Sequence, residues 1–193
     1  MKKKINIGYR KLDDTYLIEE LLDDPTRSVR DLANEMNCTR QAVWKRKKAL
    51  EDNNVIWGYT AVVDESSLDH VVFLVLMKMK PMDRKLAETL IHRIAGNEIR
   101  RSGIRLIDVF HVNGEYDWMI RFSTKDHANA RKYYDTLRLI YEDYLLDKPV
   151  MVDINFIMMA EGKRNPHLSR LLDFVPTVRE PPPTRSLDNI LKS

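Results

Sequence analysis

Residues 26–59, TRSVRDLANEMNCTRQAVWKRKKALEDNNVIWGY, decide how the N-terminal third of the chain folds. Thr39 opens a helix that runs to about Glu51. Arg40, Lys45, Arg46, Lys47 and Lys48 make it strongly basic, with no acid before Glu51. Ser28, three residues before Asp31, caps a shorter helix in a capping box with Asp in place of Glu. Val29, Leu32, Ala33 and Met36 fall on the inward face of that shorter helix. Ala42, Val43, Ala49 and Leu50 do so on the basic one. Asn37 ends the first helix, and Asn54 follows the second, a residue type that tolerates the left-handed conformation of a helix C-terminus. A short helix, a tight turn and a basic helix make a unit suited to the major groove of DNA.

Upstream, Leu12–Leu22 predicts another helix with Leu17, Ile18, Leu21 and Leu22 on one face, stopping before Asp24-Pro25. Downstream, Val55–Val63 is β-like and predicts a strand leading out of this unit. Residues 1–64 thus read as a winged helix-turn-helix domain with a linker strand. The formal charge of +3 is too small to identify a partner, but its placement matters. Asp13, Asp14, Glu19, Glu20, Asp23 and Asp24 sit on or beside the first helix while the bases cluster on the third, which leaves one positive face.

The rhythm then changes. Val71–Met79, Ile104–Val112, Trp118–Phe122 and Val150–Met159 read as strands. Arg84–Ala95 is a helix with Leu86, Leu90, Ile91 and Ile94 on one face, closed by Gly96, and a second helix spans about Asp126–Tyr141. Asn113-Gly114 is a hairpin signal between the middle strands. The order β-α-β-β-α-β over residues 65–160 predicts an α+β, ferredoxin-like sandwich with both helices on one side of a four-stranded sheet. Val71–Met77 is apolar on both faces, so the side without helices also needs cover. A partner subunit is the simplest cover, which predicts a homodimer joined through the sheets. The alternative is that the N-terminal domain folds back onto that face.

Residues 161–193 read as a tail. Leu168, Leu171, Leu172 and Val175 suit a short amphipathic helix, Pro181-Pro182-Pro183 an extended linker, and Ser186–Lys192 one more helical turn. An apolar content of 44% excludes a wholly disordered chain. No apolar run approaches the roughly 18–20 residues of a membrane span. Met1-Lys2-Lys3-Lys4 is not followed by the apolar core of a signal peptide, so a cytoplasmic location is expected. Cys38 is the only cysteine, which rules out an internal disulfide or a cysteine-cluster metal site and suggests buried filler. The histidines show no H-x-x-x-H spacing, and no P-loop, G-x-S-x-G or G-x-G-x-x-G occurs. No metal or cofactor is therefore expected.

Leu12–Leu22 (LDDTYLIEELL), Val29–Ala33 (VRDLA) and Cys38–Tyr59 (CTRQAVWKRKKALEDNNVIWGY) together resemble the winged helix-turn-helix of the leucine-responsive Lrp/AsnC, or feast/famine, transcription regulators. The β-α-β-β-α-β part, with NGEYDWMI at Asn113–Ile120, is similar to that family's effector-binding and oligomerisation domain. The resemblance covers about residues 10–160. It implies dimers that assemble into tetramers or octamers on double-stranded DNA, under control of a bound amino acid. Lys47 stands where the family usually has an aliphatic residue, and Asn54 where it has glycine.

Residues near the start of a recognition helix reach base edges, and those further along meet phosphates. Arg40 and Gln41 are therefore the expected base readers, for guanine and adenine respectively. Trp44 suits a thymine methyl or a sugar, unless it belongs to the domain core. Lys45 and Lys48 are expected on phosphates, with Ser28 donating from the start of the second helix. Arg46 reads as structural, bound to a carboxylate or carbonyl. The resemblance places part of an effector pocket at Gly114, Tyr116 and Asp117, where Asp117 holds an α-amino group and Gly114 allows close approach to the backbone. An alternative on the same architecture is a sirohaem-decarboxylase-like enzyme subunit, with Arg105 and His111 on one strand face as contacts for a carboxylate-rich macrocycle.

Overall fold

The computed structural model describes residues 13–96 and 103–176, so the expected helical turn at Ser186–Lys192 and the polyproline run lie outside the described residues. Three helices come first: α1 (Asp14–Asp23), α2 (Val29–Glu35) and α3 (Arg40–Asp52). Each starts at a side-chain cap. Asp13 accepts from the Thr15 N–H at 3.0 Å, Ser28 from Asp31 N–H at 3.1 Å, and Thr39 from Ala42 N–H at 3.1 Å. Such caps satisfy donors that a helix leaves orphaned, typically about 1 kcal/mol each. Leu17, Leu21, Leu32, Ala33, Val43 and Leu50 close a core between the three helices. Leu22, expected inward, is 69% exposed, because it follows Leu21 by a third of a turn and cannot share its face. Cys38 packs against this core, and burial pushes its thiol pKa up, as filler should behave.

The end of α3 is set by Asn54, at φ 56°. Its N–H reaches the Glu51 carbonyl at 3.0 Å, and the Val55 N–H reaches the Leu50 carbonyl at 2.9 Å, the paired bonds of a Schellman motif. Beyond it the expected strand at Val55–Val63 does not form. A strand needs a neighbour for its backbone donors and acceptors, and none of the described residues provides one. Trp57 is left 94% exposed.

A 3-10 turn (Glu65–Leu68) leads into the sheet, made of β1 (Val71–Met77), β2 (Arg105–His111), β3 (Trp118–Thr124) and β4 (Val150–Ile154). Its order is β2-β3-β1-β4 and every pair is antiparallel, the topology of the expected ferredoxin-like sandwich. α4 (Arg84–Ala95) and α5 (His127–Ile140) pack on one face, capped by Asp83 and Asp126. Phe73, Val75, Met77, Trp118, Ile120 and Phe122 meet Leu86, Leu90, Tyr134 and Leu137 there. Phe73 and Phe122 stack with ring centroids 5.4 Å apart. From α4 only Leu86 and Leu90 are buried; Ile91 and Ile94 stay exposed, contrary to the single-face expectation.

On the opposite face the register sets Phe110, Met119, Leu76 and Val150 in one row, and Asp108, Arg121, Leu74 and Val152 in the next. One end of this face is closed by the 3-10 turn: buried Glu65 accepts from Ser123 Oγ at 2.8 Å and pairs with Arg105. Elsewhere Phe110, Val150 and Val152 are exposed. β4 stops at Ile154 rather than Met159. Met159–Ala160 (β5) instead pairs with Lys163–Arg164 (β6) around Glu161 and Gly162, both at positive φ as a two-residue type I′ turn requires. The expected tail helix is a 3-10 run, Leu168–Phe174, that leaves Leu171 and Leu172 exposed.

Because Asn54 holds a left-handed conformation, Asn54→Ala is expected to destabilise the N-terminal domain by about 1 kcal/mol, whereas Asn54→Gly costs nothing measurable. Thermal melts of the two variants check this, and equal losses would contradict the reading of the cap.

Candidate nucleic-acid interface

Burial fixes the rotation of α3. Val43 and Leu50 point into the three-helix core, so Arg40, Gln41, Trp44, Lys45 and Lys48 must lie on the far side, at helical spacing i, i+1, i+4, i+5 and i+8. All five are exposed. Trp44 is 54% exposed, which removes it from the core.

The other cations near this stripe are engaged. The Arg46 guanidinium donates through Nε and a terminal nitrogen to both oxygens of Asp14, tying α3 to α1. Those hydrogen bonds hold the Asp14 carboxyl below the usual carboxylate range. Lys47 lies over the Tyr59 ring, its ammonium 4.7 Å from the centroid, so the linker supplies the aliphatic-position lysine with an aromatic face. The Tyr59 hydroxyl donates to Glu51 at 2.8 Å, and burial together with that carboxylate pushes its pKa up to about 12. Lys48 pairs with Asp52 at 3.3 Å on an exposed surface, where such an i,i+4 pair is worth only about 0.3–0.5 kcal/mol and yields readily to a phosphate. Arg40 and Lys45 make no ion pair among the described residues. The Ser28 hydroxyl is exposed but occupied by its own capping box, donating to Asp31 at 2.6 Å.

Arg27 escaped the sequence reading. It bridges Glu20 of α1 and Glu35 of α2, and no local spacing signals a contact that only the packing of two helices creates.

The loop that holds Gly114, Tyr116 and Asp117 differs from a two-residue Asn-Gly turn. His111 pairs with Trp118, which leaves six residues between the strands, 112–117. Neither Asn113 nor Gly114 adopts positive φ, since the longer loop needs no type I′ geometry. Gly114 is exposed, and a Cβ there would meet nothing within 4 Å. Asp117 is half-buried and accepts from the Met79 N–H at 2.7 Å, while its own N–H donates to the Met77 carbonyl at 3.0 Å. It therefore braces the loop against the end of β1, with Tyr116 half-buried beside it.

Arg105 and His111 do not share a face. A bulge between Leu106 and Asp108 shifts the register, so Arg105 pairs with Ser123 on the open face and His111 with Trp118 on the helix side. Among the described residues no cluster of three or more metal-ligating side chains occurs, and no helix is long and apolar enough to cross a membrane.

A family model described as winged helix-turn-helix DNA-binding matches residues 17–56, the span of α1 through α3 and its C-terminal cap. Solved structures similar to the chain include the leucine response regulatory protein LrpA of Mycobacterium tuberculosis (TM-score 0.62, 18% identity, 79% of this chain and 99% of that one). An AsnC family transcriptional regulator from Agrobacterium tumefaciens is also similar (TM-score 0.60, 17% identity, 86% and 100%). The chain shares the fold of these Lrp/AsnC regulators. Another structure of this fold is a transcriptional regulator of Neisseria meningitidis in complex with L-Met (TM-score 0.57, 15% identity, 78% and 94%). By sequence the chain is 28% identical over 120 residues to an HTH-type transcriptional regulator of Pyrococcus abyssi, covering 62% of this chain and 76% of that protein. It is 23% identical over 153 residues to the transcriptional regulator AzlB of Bacillus subtilis (78% and 89%).

The Asp14–Arg46 pair gives the three-helix head an acid-sensitive joint. With its folded-state pKa lowered, Asp14 contributes stability that is present above its unfolded value and lost as pH falls through the folded one. The melting temperature of Asp14→Asn should therefore fall less than that of the native chain as pH drops through the carboxylate range. Parallel acid sensitivities would contradict this.

Proposed function

We propose that the chain is a sequence-specific DNA-binding transcription regulator that acts as a homodimer in the cytoplasm. The observation that carries this is the stripe Arg40, Gln41, Trp44, Lys45 and Lys48, exposed as a unit while Arg46 is engaged by Asp14 and Lys47 by the Tyr59 ring. Arg40 and Gln41, the first two residues of α3, read base edges, Trp44 packs on a thymine methyl or sugar, and Lys45 and Lys48 neutralise phosphates. Ser28 supports a phosphate only if its bond to Asp31 opens.

Dimerisation is favoured by the open sheet face, where Phe110 and Val150 stay exposed at the ends of the row with Met119 and Leu76, and by the linker, which is unpaired among the described residues with Trp57 exposed. Tetramers or octamers extend the same proposal. Modulation by an amino acid is supported by the L-Met complex of the Neisseria regulator and by the braced loop with Gly114, Tyr116 and Asp117. One Asp117 oxygen serves the loop, which leaves the other for an α-amino group. The enzyme reading is not favoured, because the bulge sets Arg105 and His111 on opposite sides of the sheet.

Arg40→Ala is expected to cost about 1–3 kcal/mol on a cognate duplex and little on a scrambled one. Lys48→Ala should weaken both alike and flatten the dependence on salt. Fluorescence anisotropy titrations at several salt concentrations read both effects, and equal losses on the two duplexes for Arg40→Ala would refute base reading.

A further inference from the structure

The helices of the sandwich do not close over the sheet everywhere. Between α4 and α5, above the β2–β3 side of the sheet, lies a cleft of 380 Å³. That is within the roughly 300–1,000 Å³ typical of small-molecule sites. Leu106, Val109 and Ile120 form its floor, and Leu90, Ile94 and Tyr133 form its walls. The floor residues belong to the inner face of β2 and β3: Ile120 is in the core, while Leu106 and Val109 stay half-buried because α4 gives only Leu86 and Leu90 to the core.

The polar groups around the cleft are of one kind. Arg93 and Lys132 bring positive charge from the two helices, Asn129 and Thr136 are neutral, and among the described residues no carboxylate lines it. Arg93 is half-buried, with its guanidinium carbon 5.8 Å from the centroid of the Tyr141 ring, so its charge is held in place. Burial pushes the Tyr133 phenol up to about 12, so it stays neutral at physiological pH. A ligand with an apolar body and a single anionic head matches this lining. A zwitterionic amino acid matches it less well, since its ammonium would face two cations with no acid among the described lining residues to receive it. This separates the cleft from the Asp117 loop, whose carboxylate suits an amino group.

We propose that this cleft binds an apolar monocarboxylate, a medium-chain or aryl carboxylic acid, with Arg93 and Lys132 on its head and the β2–β3 floor under its body. The site is independent of the DNA-binding reading. The test uses the full chain and octanoate as the probe, with octylamine, octanol and L-leucine as controls, by calorimetry and by methyl-resolved NMR. Octanoate should bind and shift the Ile94 and Ile120 methyls, octylamine and L-leucine should not, and octanol should bind about tenfold more weakly. The double variant Arg93→Gln/Lys132→Gln, altered only at half-buried and exposed positions, should lose about tenfold for octanoate while its melting curve holds. Thr136→Trp, which narrows the mouth from an exposed position, should weaken octanoate as well. The proposal is overturned if octanoate fails to bind, if octanol or octylamine matches it, if the double variant retains full affinity, or if the shifts fall on Leu74 and Val152 across the sheet.

Discussion

The burial of Val43 and Leu50 in the three-helix core is the constraint on which the N-terminal domain turns. A helix has one rotation about its axis, and once two residues a third of the way round from their neighbours are fully committed inward, the outward set follows. Arg40, Gln41, Trp44, Lys45 and Lys48 are presented together for that reason, not because the helix is basic in general. Arg46, on the α1 side, is neutralised by Asp14, and Lys47 is held over the Tyr59 ring. A chain with a near-neutral total thus offers positive charge in one direction. Exposed ion pairs of this sort add little stability, so their main physical consequence is to decide which cations remain available.

The second domain shows the same economy of faces with a different outcome. The helix side of the sheet is sealed by aromatic stacking and aliphatic contacts over most of its area; among the described residues the other side is closed at one end, where Glu65 grips Arg105 and Ser123, and is approached by Glu161 at Arg121. The apolar row that continues past this seal is the surface on which the proposed dimer rests. The linker between the domains is in the same position. Val55–Val63 has the composition of a strand yet finds no ladder partner among the described residues.

What could be read in advance was local. Ser28, Thr39, Asn54 and Gly96 act on groups one to four residues away, and their spacing alone places the helix ends where they are found. The β-α-β-β-α-β order was legible too, since each element carries its own periodicity. The misses depended on contacts across the fold. The bulge at Leu106/Asp108 flips half of β2 and leaves no mark in a stretch that is apolar at most positions. The six-residue loop after His111 outranks the Asn-Gly preference because strand register, set by Trp118 in the core, determines where pairing stops. Ile91, Ile94 and Leu22 look equivalent to their buried neighbours until the packing angle of each helix is known. The site shows the same divide. The exposed stripe followed from helical spacing, whereas the Asp117 brace and the cleft beside Arg93 exist only once the sheet is assembled.

The central claim is that one face of α3, and no other cationic surface of the head, meets DNA. The most direct measurement is photocross-linking of the full chain to a labelled duplex from a photoreactive side chain at position 41 or position 22. Position 41 lies in the exposed stripe; position 22 is exposed on α1, the helix pinned to the opposite edge of α3 by Asp14. The account predicts a salt-sensitive cross-link from position 41 and none from position 22. A cross-link from position 22 alone, or from neither, would contradict it.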